Sequence, residues 1–292
     1  MRLFLCKLLV SIHAVAWLWT GTETVVFSQC YHLLSLDNLA LISLAMTRII
    51  AISLSKGGVG KTTTAVNLSA CLSQRGKSVL LVDTDTQGQA SRVLGVNHNA
   101  GLADYLLGEV DAAAAIVEAR SGLYMMTGGY KLAGVKQVIA SKSINPQLTL
   151  SKAMRPINTL FDYVIIDTSP GWDNLAINVL FYARELLCPV NLETMAIDGL
   201  LAFLERLGEI QEDHDLMLRY VVPTALDRRV KQTGEIMSQL KAHFGNVLCE
   251  PIRYNVRLSE APAHGQHIFE YAPKAAGAID YRALAEKVLK DE

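Results

Sequence analysis

The residues of this chain best suited to chemistry stand in one run, Lys56-Gly57-Gly58-Val59-Gly60-Lys61-Thr62-Thr63. Glycines at this spacing let successive backbone N–H groups converge on one point, and a helix opening near Lys61 would aim its positive end at the same place. Phosphate oxygens are the natural occupant of such a cradle. The Lys61 ammonium is placed to reach the β- and γ-phosphates of a nucleoside triphosphate, and the Thr62 hydroxyl to complete a Mg2+ coordination shell. The general phosphate-loop pattern asks for glycine at position 55, where this chain has Ser55. In its place stands a second lysine, Lys56, just before the glycine pair.

A loop of this kind has to be held between a strand and a helix, and the flanking sequence supplies both. Residues 48–53 are short, apolar and rich in isoleucine, which predicts a buried strand. Ala65, Leu68 and Leu72 then recur at helical spacing until Gly76, which predicts a helix over 61–75. Further strands are predicted at 78–83, 123–126, 163–166, 186–190 and 220–223. Helical segments are predicted at 102–107, 112–119, 200–210 and 234–244. This alternation implies an α/β fold: a doubly wound, mostly parallel sheet with helices on both faces.

The resemblance to a known family starts at the loop and runs on from Met46 nearly to the C-terminus. The paired-lysine loop resembles the deviant Walker A loop of the ParA/MinD family of P-loop ATPases. That family places D-x-D after the next strand, where this chain has Asp83-Thr84-Asp85, and the segment FDYVIIDTSP ending at Pro170 resembles its Walker B strand. Residues 193–200 resemble its E-x-x-A-x-x-G-L segment, and 255–262 its N-V-R-L-S-E-A-P segment. The match departs at Arg253-Tyr254, where ParA relatives carry Pro-Arg.

The resemblance implies an ATPase using ATP and Mg2+. Gly57, Gly58, Val59, Gly60, Lys61, Thr62 and Thr63 would bind the nucleotide, and Thr62, Asp83 and Asp167 would serve the metal. Lys56 would reach across a homodimer to the partner's ATP, and Asp85 would orient the attacking water. A turn or helix N-cap residue is the other reading of Asp85, and Glu193 reads equally as functional or structural. ParA-like proteins bind double-stranded DNA without sequence preference as ATP-bound dimers, and an adaptor of the ParB type stimulates hydrolysis and resets them. The implied location is cytoplasmic and nucleoid-associated.

The charge layout fits such a partner locally rather than globally. The formal net charge is −1, which excludes wholesale basic character. Between Arg219 and Arg257, however, seven basic residues face three acidic ones, and Arg228, Arg229 and Lys231 are the candidate DNA contacts. A solvated surface of scattered charge is the bland alternative. The iron-protein branch of the superfamily needs paired cluster cysteines, yet no cysteine lies between Cys71 and Cys188. The five cysteines contain no C-x-x-C pair and read as free thiols of a reducing compartment. The C-terminal residues 284–292 lack the bulky apolar face of a membrane-binding tail. A MinD-like membrane-associated ATPase and a metabolic enzyme of the same superfamily are the alternatives.

Residues 1–45 stand apart. Arg2 and Lys7 flank an apolar run at 8–19 that imitates a secretory signal, too short for a good membrane span. Because Met46 opens the phrase leading into the first strand, an upstream-start artefact or disordered extension is the preferred reading. An anchor and a signal peptide are the others. The ATPase domain is expected to cover 47–292.

Overall fold

The computed structural model describes residues 46–292 apart from Thr194 and Arg228. The expectations for residues 1–45 and for Arg228 therefore lie outside the described residues. Arg48–Glu292 forms one compact unit. Its seven strands are β1 (Arg48–Ile52), β2 (Val79–Asp83), β3 (Ile116–Arg120), β4 (Leu123–Met126), β5 (Tyr163–Asp167), β6 (Glu185–Asn191) and β7 (Met217–Thr224). They form a single sheet in the order β3-β4-β2-β5-β1-β6-β7. Every pairing is parallel except that of β3 with β4.

The sheet separates two cores. Ala51, Leu80, Val82, Val164 and Ile166 point to one face, where Val179, Leu200, Phe203 and Leu240 of the covering helices pack. Ile50, Ile52, Leu81 and Ile165, one residue out of phase, point to the other and meet Leu68 and Leu72 with Tyr281 and Leu284. Strands buried on both faces need the unbroken apolar runs that made them legible in sequence, since all five residues of β2 and of β5 are buried.

One stretch folds otherwise than predicted. Residues 112–119 do not make one helix: only Ala112–Ala115 is helical, and Ile116–Arg120 is the edge strand β3. The alanines favour helix and the Asp111 carboxylate caps their short turn at Ala114 N–H. The β-branched Ile116 and Val117 instead pair back onto β4 through a turn at Gly122, whose φ of +73° suits glycine. Helix Ala196–Gln211 and helix Lys231–Phe244 each begin earlier than expected, which puts Lys231 on a helix's first turn.

Register decides where chemistry can occur. Ile52 and Asp83 both align with Asp167, so β1, β2 and β5 end in one row. The crevice above the carboxyl ends of such strands is where open α/β sheets bind ligands.

Candidate active site

The chain leaves β1 through Ser53 and Leu54, crosses the glycine loop and enters helix Lys61–Gln74. Gly58 and Gly60 have φ of +74° and +90°, conformations that side chains resist, so these two glycines are backbone requirements. Val59 is buried, and its carbonyl accepts the Thr224 hydroxyl at 2.9 Å, which ties the loop to the end of β7. Thr62 and Thr63 are half-buried in the first turn of the helix, and the Thr63 carbonyl accepts the Asn67 amide at 2.7 Å.

Lys61 is buried, and its ammonium donates to the Lys56 carbonyl at 2.8 Å across the mouth of the loop. Burial pushes the Lys61 ammonium below its ordinary pKa, while Asp167 and Asp85 pull it back up. Lys56 behaves differently. Its side chain is exposed, with the ammonium 3.6 Å from the carboxylate of a still more exposed Glu193.

Three carboxylates face this loop, each held in its own way. Asp83 is buried at the end of β2, with one oxygen accepting Asp85 N–H at 3.0 Å and the other accepting the Ser91 N–H and hydroxyl. Asp85 is half-buried and its carboxylate accepts Gln87 N–H at 2.8 Å, so the turn-residue reading describes its local bonding. Asp167 is fully buried, and among the described residues neither of its oxygens has a well-formed hydrogen bond. Burial, and next the charge of Asp83, push the Asp167 carboxyl well above its ordinary range, against the pull of Thr62 and Lys61.

A buried carboxylate with no partner is expensive unless a cation completes it. Among the described residues no group of three His, Cys, Asp or Glu side chains is arranged to hold a metal unaided. That donor set suits Mg2+, which takes one or two protein oxygens and draws the rest of its octahedron from phosphates and water. Thr62 and Asp167 would hold it directly or through water, with Asp83 behind.

The loop after β5 touches both the phosphate loop and a distant helix. Gly171 N–H donates to the Ser55 carbonyl at 3.1 Å, while the Trp172 ring lies 5.0 Å from Phe203 and under the Arg206 guanidinium. Sequence reading missed Thr224, Ser91 and Gly171 as parts of the site. Nothing in their local pattern signals it: Thr224 and Gly171 act on a segment far away in the chain, and Ser91 reaches back to Asp83 only because the chain turns between them.

The candidate DNA residues are less concentrated than the sequence suggested. Arg229 is exposed but chelates Asp227 at 2.6 Å, holding that carboxyl down to about 2. Lys231 is exposed near the same end of β7. Arg253 pairs with Asp280, Arg257 with Glu260, and Arg219 lies 3.8 Å from Glu185 at the opposite end of the sheet. The local excess of positive charge is thus partly cancelled by acids from elsewhere in the chain, which counting residues 219–257 could not include.

A glycine loop, an invading lysine and an acidic row above a doubly wound parallel sheet define a P-loop nucleoside triphosphatase. Residues 47–220 match the family model described as "AAA domain". The chromosome-partitioning ATPase Soj of Thermus thermophilus is 37% identical over 248 residues, 84% of this chain and 96% of that protein. Among solved structures, a cobyrinic acid a,c-diamide synthase of Mycobacterium smegmatis with bound ADP and magnesium is 30% identical. It superposes with a TM-score of 0.73 over 84% of this chain and 95% of its own. The septum site-determining protein MinD of Pyrococcus horikoshii, complexed with Mg-ADP, is 27% identical with a TM-score of 0.71, over 83% and 96%. This chain belongs to the ParA/Soj family of partition ATPases.

Proposed function

We propose that this ATPase partitions or positions DNA or another large cargo, cycling between an ATP-bound homodimer that holds DNA without sequence preference and a released ADP form. The observation that carries the reading is the contrast between the two lysines. Lys61 turns inward onto its own loop, and Lys56 turns outward beside an exposed acid. An exposed lysine beside a phosphate cradle is suited to a phosphate on a second copy of the chain. An adaptor of the ParB type would stimulate hydrolysis, and the working location would be the nucleoid in the cytoplasm. Among the described residues no helix is long and apolar enough to cross a membrane. The last helix, Ala276–Lys290, spends its apolar face, Tyr281, Leu284 and Val288, on the core, which disfavours the membrane-tethered alternative.

In this reading the glycine-loop N–H groups and Lys61 bind and orient the triphosphate. Thr62 and Asp167 would hold Mg2+, which would supply neutralisation of the charge developing on the phosphates. Asp85 aligns a water for in-line attack, and Lys56 of the second copy closes the site against bulk solvent. Arg229 and Lys231 of both copies meet DNA phosphates. Doubling a weak charged surface turns marginal contacts into retention, so ATP controls DNA binding through dimer symmetry.

The test combines one variant with one ligand. Asp85→Ala should lower turnover by roughly 10² or more while keeping ATP bound. Its ATP form should accumulate as a dimer and shift unrelated duplexes equally in gel mobility assays, whereas the wild-type protein in ADP should not. Strong shifts in ADP, or an ATP-bound monomer, would sink the reading.

A further inference from the structure

Residues 127–131 leave the end of β4 and cross behind the turn that carries Asp83 and Asp85. Gly129 N–H donates to the Asp85 carbonyl at 3.0 Å, the same oxygen that accepts Gly88 N–H at 3.0 Å. Gly128 lies so close that a Cβ there would fall 2.6 Å from the Asp85 carbonyl oxygen and 2.7 Å from Asp83 Oδ1. The backbone of Asp85 is therefore gripped from behind, while its carboxylate is tied forward to Gln87 N–H.

What holds the grip in place lies on the far side of the loop. Leu102 N–H donates to the Thr127 carbonyl at 3.0 Å, at the start of helix Leu102–Leu107. Beyond that bond a cleft of about 250 Å3 opens, lined by residues 98–101, Ala103, Asp104 and 127–131. Tyr130 is 80% exposed beside it, so packing of its side chain does little to hold the loop down. Across the cleft the Lys131 ammonium contacts Asp104 Oδ1 at 2.5 Å. The other oxygen of Asp104 accepts Gly101 N–H at 2.8 Å, which anchors the acid to its own helix. Burial pushes the Asp104 carboxyl up, but Lys131 and Gly101 N–H outweigh it and hold the group below its ordinary range.

We infer that Lys131 and Asp104 are a positioning pair for ATP hydrolysis, their contact pressing loop 127–131 against the Asp85 carbonyl and so fixing the carboxylate that aligns the attacking water. The inference rests on the role proposed above for Asp85. A displacement of about 1 Å in such a group costs up to roughly 10²-fold in rate, so a loosened clamp acts on chemistry rather than on binding.

The experiment measures steady-state ATP turnover and fluorescent-ATP affinity for the full chain carrying Lys131→Met, Lys131→Arg and Asp104→Asn, each also combined with Asp85→Ala. Asp104→Asn keeps an acceptor for Gly101 N–H while removing the charge, and because Asp104 is buried, a thermal melt of each variant checks that it folds before its rate is read. The expected result is a roughly tenfold fall in kcat with unchanged ATP affinity for Lys131→Met and Asp104→Asn. Lys131→Arg should restore kcat, and neither loosening variant should lower the residual rate of Asp85→Ala further. Unchanged kcat in both, an equal loss of ATP affinity, or the same tenfold loss on top of Asp85→Ala would overturn the positioning role. If Asp85→Ala alone leaves turnover intact, the assignment of Asp85 falls and this inference with it. A normal kcat for the pair beside an inactive Asp85→Ala removes the inference alone.

Discussion

The two ends of the parallel sheet both bury charge, and they treat it in opposite ways. At the amino end, Arg48 is paired with Glu185, donates to the Tyr220 hydroxyl at 2.8 Å and also reaches the Val288 carbonyl. Beside it Tyr163 donates to Glu292, which also pairs with Lys77. Each of these charges has a partner within the chain. At the carboxyl end, Asp167 is fully buried beside Asp83, and among the described residues no well-formed hydrogen bond reaches its oxygens. The closed network fastens the last helix to the sheet, and the open one is a place where a cation and a triphosphate can be added. Of the two ends, the one whose buried bonding is incomplete is the candidate site.

Neutralising Asp167 should break the contrast most visibly. Asp167→Asn removes a carboxyl that ionises more easily in water than in its buried site, so the nucleotide-free protein should melt at a higher temperature. Its Mg2+-dependent turnover should meanwhile fall by roughly 10² to 10³, the equivalent of several kcal/mol of lost charge stabilisation. A variant with normal turnover, or one less stable than the parent, would put Asp167 in the structural class. Arg48→Met makes the converse change at the other end. Breaking a buried pair from one side leaves Glu185 with the more distant Arg219 at 3.8 Å and should cost up to about 3 kcal/mol in urea unfolding, with turnover per folded molecule unaltered. A selective loss of turnover at full stability would show that the two ends are coupled.

The smallest expected effect sharpens the rule at a third site. His267 is buried 3.5 Å from Glu270, itself held by Arg120 at 2.6 Å. Burial lowers the His267 pKa below its ordinary value of 6.5, although Glu270 opposes it. A histidine in that state binds its proton more readily when unfolded, so stability is full above the unfolded pKa and declines as pH falls below about 6.5. Melting temperatures between pH 7.5 and 5 should show a shallow decline that His267→Gln flattens, and an identical profile in the variant would remove His267 as the cause.

Much of the site was legible in the sequence because it depends on backbone geometry that few residues tolerate. Gly58 and Gly60 could be read because positive φ asks for glycine, and β2 and β5 because strands buried on both faces must be continuously apolar. The carboxylates followed from resemblance at strand ends that the register then aligned. The clamp behind Asp85 was not legible: Lys131 and Asp104 belong to different segments and meet only through the fold. The same reason hid the pairing of Arg253 with Asp280 and made residues 219–257 look more basic than the folded surface is. The alanine run misled because local helix preference extends only to Ala115, where cross-strand pairing takes over.

The place of β1 in the sheet carries a consequence for how the protein is made. Its neighbours are β5 and β6, and the contact of Arg48 with Tyr163 spans 115 residues of chain. On a ribosome adding roughly 5–20 residues per second, β1 and the glycine loop wait on the order of ten seconds before either flanking strand exists. Until then the apolar run Ile49 to Ile52 has no sheet to enter, and the loop after it has no acidic row to face. Nucleotide binding is thus a late event in synthesis, and the nascent chain is most exposed to aggregation and to chaperones in the interval before β5 is complete.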